Sequence, residues 1–231
     1  MATLYIIGTP IGNLEDITLR ALRVLNEADL ILCEDTRVTG RLLSKYEIKT
    51  PKMSYHAQSK IAKADKILEL LAEGKTLALV SDAGTPCISD PGVLLVEQVR
   101  ERFGSEVDIV PIPGPSALVT ALSAAGISVA EFTFLGFLPH KKGRETLFKE
   151  IASSSRVMVF YESTHRIEKA LESLEKFCGG ERHVIVAREL TKIYEEFVRG
   201  TVAEVRAHFS QNPDRVRGEF VVIVDGLKKA K

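Results

Sequence analysis

Thr76-Leu77-Ala78-Leu79-Val80-Ser81-Asp82-Ala83-Gly84-Thr85-Pro86-Cys87-Ile88-Ser89-Asp90-Pro91-Gly92 changes character part-way along. Its first part, entered from Gly74, is aliphatic or β-branched throughout and predicts a buried strand over 76–80. From Ser81 the chain is too rich in Gly, Pro, Ser and Asp to continue as strand or helix. The apolar series Val93, Leu94, Val96, Val99 predicts that a helix resumes near Val93. A long polar loop at the carboxyl end of a central parallel strand is where open α/β sheets bind ligands. The stretch thus predicts both a fold class and a binding edge.

Working outward, strand-like and helix-like segments alternate, which argues for an α/β architecture. Strands are predicted over 4–7, 29–33, 53–56 and 107–110, the last stopping at Pro111. Helices are predicted from Leu19 behind a Thr18 cap, through Leu42 and Leu43, and over 61–71. Pro111-Ile112-Pro113-Gly114-Pro115 makes a stiff, extended connection that cannot hold a helix. It divides the chain into an N-terminal α/β domain, 1–113, and a C-terminal α/β domain, 114–231. The second half predicts helices over 116–125, 144–152, 165–177 and 202–209, and strands over 132–137, 157–161, 183–187, 195–198 and 220–224. Several of these strands lack an intervening helix, so the second sheet is expected to be mixed. The lysine-rich end, 228–231, reads as a frayed tail.

The 231 residues are enough for cores of this kind, and 45% hydrophobic with 27% charged residues is ordinary for a globular protein. A formal net charge of zero provides no global pull toward RNA or membrane, so a nucleic-acid contact requires a local patch. Cys33, Cys87 and Cys178 are widely spaced, lie in or beside apolar segments, and read as reduced thiols of a cytoplasmic protein. No apolar run is long enough to span a bilayer, and Met1 leads almost directly into a strand, leaving no room for a signal peptide.

Gly8-Thr9-Pro10-Ile11-Gly12-Asn13 follows the first strand but lacks the dinucleotide fingerprint and the P-loop lysine; a plain turn and a ligand loop fit it about equally. Glu34-Asp35-Thr36-Arg37 places charges at the end of the second strand, either as an ordinary helix cap or as a carboxylate and guanidinium set at the binding edge. His56, His140, His165, His183 and His208 show no metal-ligand spacing, and no metal site is expected. A nucleophile elbow is absent. Leu138-Pro139-His140-Lys141-Lys142-Gly143-Arg144 is the best basic cluster, a solvated loop or a set of phosphate contacts.

Taken together, several segments resemble the tetrapyrrole methylase superfamily, and within it the ribosomal RNA small-subunit methyltransferase I family. They are Leu4 to Leu14 with Asp16-Ile17-Thr18, Glu34-Asp35-Thr36-Arg37, the Ser81–Gly92 loop, Pro113-Gly114-Pro115 and Gly136-Phe137-Leu138-Pro139. They continue with Phe160-Tyr161-Glu162-Ser163-Thr164-His165-Arg166, Ala187-Arg188-Glu189-Leu190-Thr191-Lys192 and Gly218-Glu219. The resemblance runs in the family's order over nearly the whole chain. It implies two α/β domains with an S-adenosylmethionine cleft between them, a homodimer, and 2′-O-methylation of a cytidine in the decoding region of 16S ribosomal RNA within the small ribosomal subunit. Longer members carry a C-terminal helical extension that this sequence lacks after Val224-Asp225-Gly226. RNA affinity is then expected to rest more heavily on the core and the basic loop.

The resemblance assigns cofactor contacts to Pro10, to Ser81, Asp82, Ala83, Gly84 and Thr85, and to Ser116 with Ala117. From the second domain it implies Tyr161 or Glu162, Leu190 or Thr191, and Gly218. On the acceptor side the expected catalytic residues are Glu34, Asp35 and Arg37, with Glu189 from the second domain. RNA would be held by His140, Lys141, Lys142 and Arg144. The rival readings are a methylase of a small tetrapyrrole such as a precorrin and a non-catalytic RNA-binding assembly factor.

Overall fold

A computed structural model describes residues 1–55, 61–90 and 92–227. His56, Pro91 and the 228–231 tail lie outside the described residues. The chain divides into two compact units, Met1–Ser116 and Ala117–Lys231, just beyond the division expected after Pro113. Gly114 and Pro115 stay with the first unit because Gly114 packs directly on Gly8 and the Pro115 carbonyl accepts a hydrogen bond from Thr85.

The first unit is a parallel sheet of β1 (Thr3–Ile7), β2 (Leu30–Cys33), β3 (Lys52–Ser54), β4 (Thr76–Val80) and β5 (Asp108–Ile112), in the order β3-β2-β4-β1-β5. Its helices are α1 (Leu19–Glu27), α2 (Thr36–Lys45), α3 (Ile61–Ala72) and α4 (Gly92–Phe103). Thr18 caps α1 by accepting the Ala21 N–H, and Asp35 caps α2 by accepting the Arg37 N–H. Ala21, Val24 and Leu25 of α1 and Leu42 and Leu43 of α2 pack with Ile7, Ile31 and Ala78. Ile67, Leu68 and Leu71 of α3 and Leu95 and Val99 of α4 pack with Leu4, Leu32, Leu77 and Leu79. The sheet is therefore covered on both faces, which is why its strands are almost continuously apolar.

This arrangement creates a switch point. β1 and β4 are neighbours, yet β1 feeds α1 on one face while β4 feeds α4 on the other. Ligands bind outside the carboxyl ends of the strands at such a place. One expectation is corrected: β5 does not stop at Pro111 but continues to Ile112. Among the described residues β5 is an edge strand paired only with β1, so a proline without an N–H is tolerated there.

The second unit has α5 (Ala117–Ser123), β6 (Phe132–Phe137), α6 (Arg144–Ser153), β7 (Val157–Ser163), α7 (Ile167–Cys178), β8 (His183–Arg188), β9 (Glu196–Thr201), α8 (Val202–Gln211) and β10 (Glu219–Val224). Its sheet order is β6-β7-β10-β8-β9, with β6 and β7 parallel and the remaining pairs antiparallel. The sheet is mixed, as the missing crossover helices require. Phe148 and Ile151 of α6, Leu171 and Leu174 of α7, and Val205 and Phe209 of α8 cover one face over Met158, Phe160, Val186 and Val222. Thr201 and Glu204 form a reciprocal capping box at the start of α8.

Candidate active site

The loops leaving β1, β4 and β5 are tied into one structure. Thr9 and Gly84 exchange backbone hydrogen bonds, Thr9 N–H to Gly84 O at 2.9 Å and Gly84 N–H to Thr9 O at 3.0 Å. The buried Thr9 hydroxyl donates toward the carbonyls of Ser81 and Gly84 at 3.1 and 3.3 Å, and the Ser81 hydroxyl lies 3.1 Å from the same Gly84 carbonyl. Gly84 has φ +85°, which favours glycine. Thr85 Oγ1 donates to the Pro115 carbonyl at 3.1 Å. A Cβ on Gly8 would sit 2.9 Å from Gly114 Cα, and one on Gly114 only 2.7 Å from the Gly8 carbonyl oxygen. The two backbones touch without room for a side chain.

Pro10, Ser81, Gly84, Thr85 and Ser116 thus belong to one connected edge of the first unit. Asp82 and Ala83 stand exposed on it, whereas Ser81 is buried and its hydroxyl turns back to its own loop.

The charged set expected on the acceptor side joins this edge. The Asp35 N–H donates to Asp82 Oδ1 at 2.9 Å, and the Asp82 N–H donates to Glu34 Oε1 at 3.4 Å. Arg37 grips Asp35 in a fork, Nε to Oδ1 at 3.0 Å and Nη2 to Oδ2 at 2.6 Å. Hydrogen bonds from the Arg37 side chain and backbone bring the Asp35 carboxyl down to about 2. Arg37 itself remains exposed.

In the second unit, Tyr161 is half-buried. Its hydroxyl accepts the Leu118 N–H at 3.2 Å, and its ring meets Phe134 and Phe137 edge-on. The neighbouring Glu162 carboxylate is fully buried and faces the helix-covered core side, bonded to Arg166 Nε at 2.7 Å with Arg144 Nη1 at 3.6 Å. Side chains alternate across a strand, so Tyr161 and Glu162 cannot both face a ligand. The expectation that Arg144 stands on the exposed basic loop is also corrected. His140, Lys141 and Lys142 are exposed, but Arg144 turns inward to Glu162, to the Pro139 carbonyl and over the Phe148 ring.

Glu189, Leu190 and Thr191 form a tight turn after β8. Glu189 has φ +49° and Thr191 φ +65°, while Leu190 is buried. Burial opposes ionisation of Glu189, but hydrogen bonds from Lys192 and the Glu219 N–H outweigh it and hold its carboxyl below the ordinary range. Gly218 lies against this carboxylate: at φ +107°, a Cβ there would fall 2.5 Å from Glu189 Cδ. Thr164 bonds both the N–H and the carbonyl of Gly218. Thr9, Thr164 and Lys192 were not legible in the sequence because their partners are far along the chain; only the Gly-rich neighbourhoods of Thr9 and Gly218 hinted at close backbone packing.

Comparison with known proteins defines the class first. The family model described as "Tetrapyrrole (Corrin/Porphyrin) Methylases" matches residues 3–206. Solved structures agree in fold: a cobalt precorrin-4 methyltransferase superimposes with a TM-score of 0.67 at 21% identity, covering 96% of this chain and 94% of that one. The uroporphyrin-III-C-methyltransferase of Thermus thermophilus gives a TM-score of 0.63 at 20% identity, with 96% and 94% covered. Among curated relatives, the "Ribosomal RNA small subunit methyltransferase I" of Thermotoga maritima is 49% identical over 98% of this chain and 99% of its own. The protein of that name from Pasteurella multocida is 48% identical over 98% of this chain and 80% of its own. The chain belongs to the tetrapyrrole methylases and, within them, to the ribosomal RNA small subunit methyltransferase I family.

Its cofactor is S-adenosylmethionine. The residues of the β1, β4 and β5 loops fit that group: the Thr9–Gly84 and Gly8–Gly114 contacts hold them in one conformation, and they present an exposed carboxylate at Asp82, suited to a ligand with a cationic sulfur. Among the described residues no helix is long and apolar enough to cross a membrane, and no cluster of His, Cys, Asp and Glu could hold a metal ion.

Proposed function

We propose that this chain methylates the 2′-hydroxyl of a cytidine ribose in the decoding region of 16S ribosomal RNA, acting on the small ribosomal subunit as a cytoplasmic homodimer. One observation carries the reading: 49% identity, nearly end to end, to a relative whose name specifies small-subunit ribosomal RNA. The ribose position and the decoding region rest on the motif resemblance, including Glu34-Asp35-Thr36-Arg37 and Tyr161-Glu162-Ser163-Thr164-His165-Arg166.

When bound, S-adenosylmethionine would supply a methyl group on a sulfonium, with the neutral thioether S-adenosylhomocysteine as leaving group and the ribose hydroxyl proton passing to solvent. The enzyme's chief task in such a displacement is alignment and exclusion of water. We assign the donor to Pro10, to the loop backbone of Ala83, Gly84 and Thr85, and to Ser116 with Ala117. The Thr9–Gly84 bridge and the buried Ser81 hydroxyl hold that loop in one conformation. Asp82 would stabilise the donor's cationic part. On the second unit Tyr161, Thr191 and Gly218 are assigned to the donor, whereas the carboxylate of Glu162 and the side chain of Leu190 are buried in protein.

Asp35, its carboxyl held near 2, takes up a proton poorly at neutral pH. We therefore assign it to fixing Arg37, whose remaining guanidinium edge would take a flanking phosphate, and assign Glu34 to orienting the acceptor hydroxyl. Glu189, pinned by Lys192, serves as a positioning residue for the turn that carries Thr191.

The test is mass mapping of methylated nucleotides in 16S RNA of small subunits incubated with and without the protein. The expected result is one ribose-methylated cytidine that depends on the protein. Methylation on a base, outside the decoding region, or only of a precorrin offered in parallel would overturn the reading.

A further inference from the structure

β6 carries an extra residue where it runs beside β7. Phe134 pairs with Val159 and Phe137 with Tyr161, so β6 advances further than β7 between the same pairings. Gly136, at φ +62°, absorbs the irregularity. In an unbroken pleat Phe137 would share a face with Leu135, which packs with Leu138 against the helix-covered core. The bulge reverses this. Phe137 meets the Tyr161 ring edge-on at 5.4 Å, on the side where Phe134 meets it at 4.9 Å, and remains 58% exposed. Burying a phenylalanine is stabilising, so turning this one outward opposes stability. Bulges that re-aim a side chain concentrate beside functional sites.

The residues just after Phe137 indicate the partner. Leu138 returns to the core, and His140, Lys141 and Lys142 then stand exposed. Their side chains make no ion pair or hydrogen bond among the described residues, while Arg144 turns back to Glu162. An outward aromatic ring a few residues from uncompensated cations complements a chain of flat bases and anionic phosphates.

We propose that Phe137 is a stacking platform for an unpaired base of single-stranded RNA, with Lys141 and Lys142 holding the adjacent phosphates. The inference rests on the reading of the chain as a ribosomal RNA methyltransferase and specifies how it grips the strand. Placed on the sheet face that carries Tyr161 of the neighbouring β7, the ring positions a nucleotide rather than taking part in bond making.

The test uses the full chain and a single-stranded RNA oligonucleotide carrying 2-aminopurine, whose fluorescence is quenched by stacking. Wild type and Phe137→Trp should quench it. Phe137→Leu should abolish the quenching and weaken RNA binding about tenfold, within the range found when a stacking aromatic is removed. Donor affinity by calorimetry should not change. Replacing Lys141 and Lys142 by Ala should flatten the salt dependence of binding while the quenching persists. Full quenching by Phe137→Leu would overturn the proposal and point to an apolar contact, such as a second copy of this chain. Loss of donor affinity in step with RNA affinity would overturn it too, placing the ring in the donor pocket. A wild type that methylates small subunits without quenching the probe sinks only the stacking proposal; a wild type that neither methylates them nor binds the oligonucleotide sinks the functional reading with it.

Discussion

The backbone N–H of Asp35 donates to Oδ1 of Asp82 at 2.9 Å, fastening the turn after β2 to the loop after β4. One carboxylate thereby connects the charged set of the first unit to its glycine-rich loop. Asp82→Ala should weaken S-adenosylmethionine binding about tenfold and also speed amide exchange at Asp35, because a hydrogen bond from a backbone N–H to a charged acceptor is worth about 1.5–3 kcal/mol. Asp82→Asn keeps an acceptor and should keep slow exchange while still losing donor affinity. RNA binding falling before donor binding in Asp82→Ala would assign the loop to the other substrate.

Asp35 is ionised well below the usual carboxylate range, from 3.8 to about 2, because of its hydrogen bonds with Arg37. A depressed folded value means that the interaction is complete above the ordinary pKa and fades only as pH falls through about 2. Carboxyl chemical shifts should show Asp35 still charged at pH 3, and Arg37→Ala should raise its value only part of the way to the ordinary range, because the backbone N–H groups of residue 37 and Val38 still lower it. Asp35→Asn should slow single-turnover methylation without changing the shape of its pH profile between 6 and 9; an acidic limb lost there would make Asp35 the proton acceptor.

Gly114→Ala would drive a methyl group to 2.7 Å from the Gly8 carbonyl oxygen. Overpacking of this kind costs about 1–3 kcal/mol, measurable as a lower denaturant midpoint. Donor affinity should fall as well, because the loops after β1 and β5 must separate. Gly74→Ala has open space around its Cβ and isolates the effect of positive φ alone.

Gly218 and Glu189 should behave as a coupled pair. Gly218→Ala alone places its Cβ 2.5 Å from Glu189 Cδ, whereas in a Glu189→Ala background that obstacle is gone. The double-mutant cycle should return a coupling of about 1–3 kcal/mol. Additive effects would mean that the φ of +107°, not the side-chain clash, dictates glycine.

Glu162 is expected to act on stability rather than on the donor. Its carboxylate is fully buried between Arg166 and Arg144, whose side chains keep 16% exposure each. Glu162→Ala should cost about 3 kcal/mol, the lower end for a broken buried pair because the arginines retain some water. Thermal unfolding measures that loss, and calorimetry on the remaining folded protein should find donor affinity unchanged.

The strands and helices were legible because their apolar spacing is local. Thr76–Val80 and Phe132–Phe137 fall where the pattern put them. Pro111 misled at the end of β5, since a proline's tolerance depends on whether the strand has a second neighbour, which is a property of the sheet. Arg144 and Glu162 misled for the same kind of reason: a charge reads as solvated until its partner arrives from another element.

The alternation of elements, the mixed second sheet, the glycine-rich loop at the end of β4 and the family were all legible in the residues alone. Those properties are written in short-range periodicity, turn chemistry and motif order. Tertiary packing decides that Thr9 locks onto Gly84, that Asp82 accepts from Asp35, that Gly218 lies against the Glu189 side chain, and that a bulge at Gly136 turns Phe137 outward. Each depends on distances between residues far apart in the chain, and these are set by packing the whole domain rather than by any one segment.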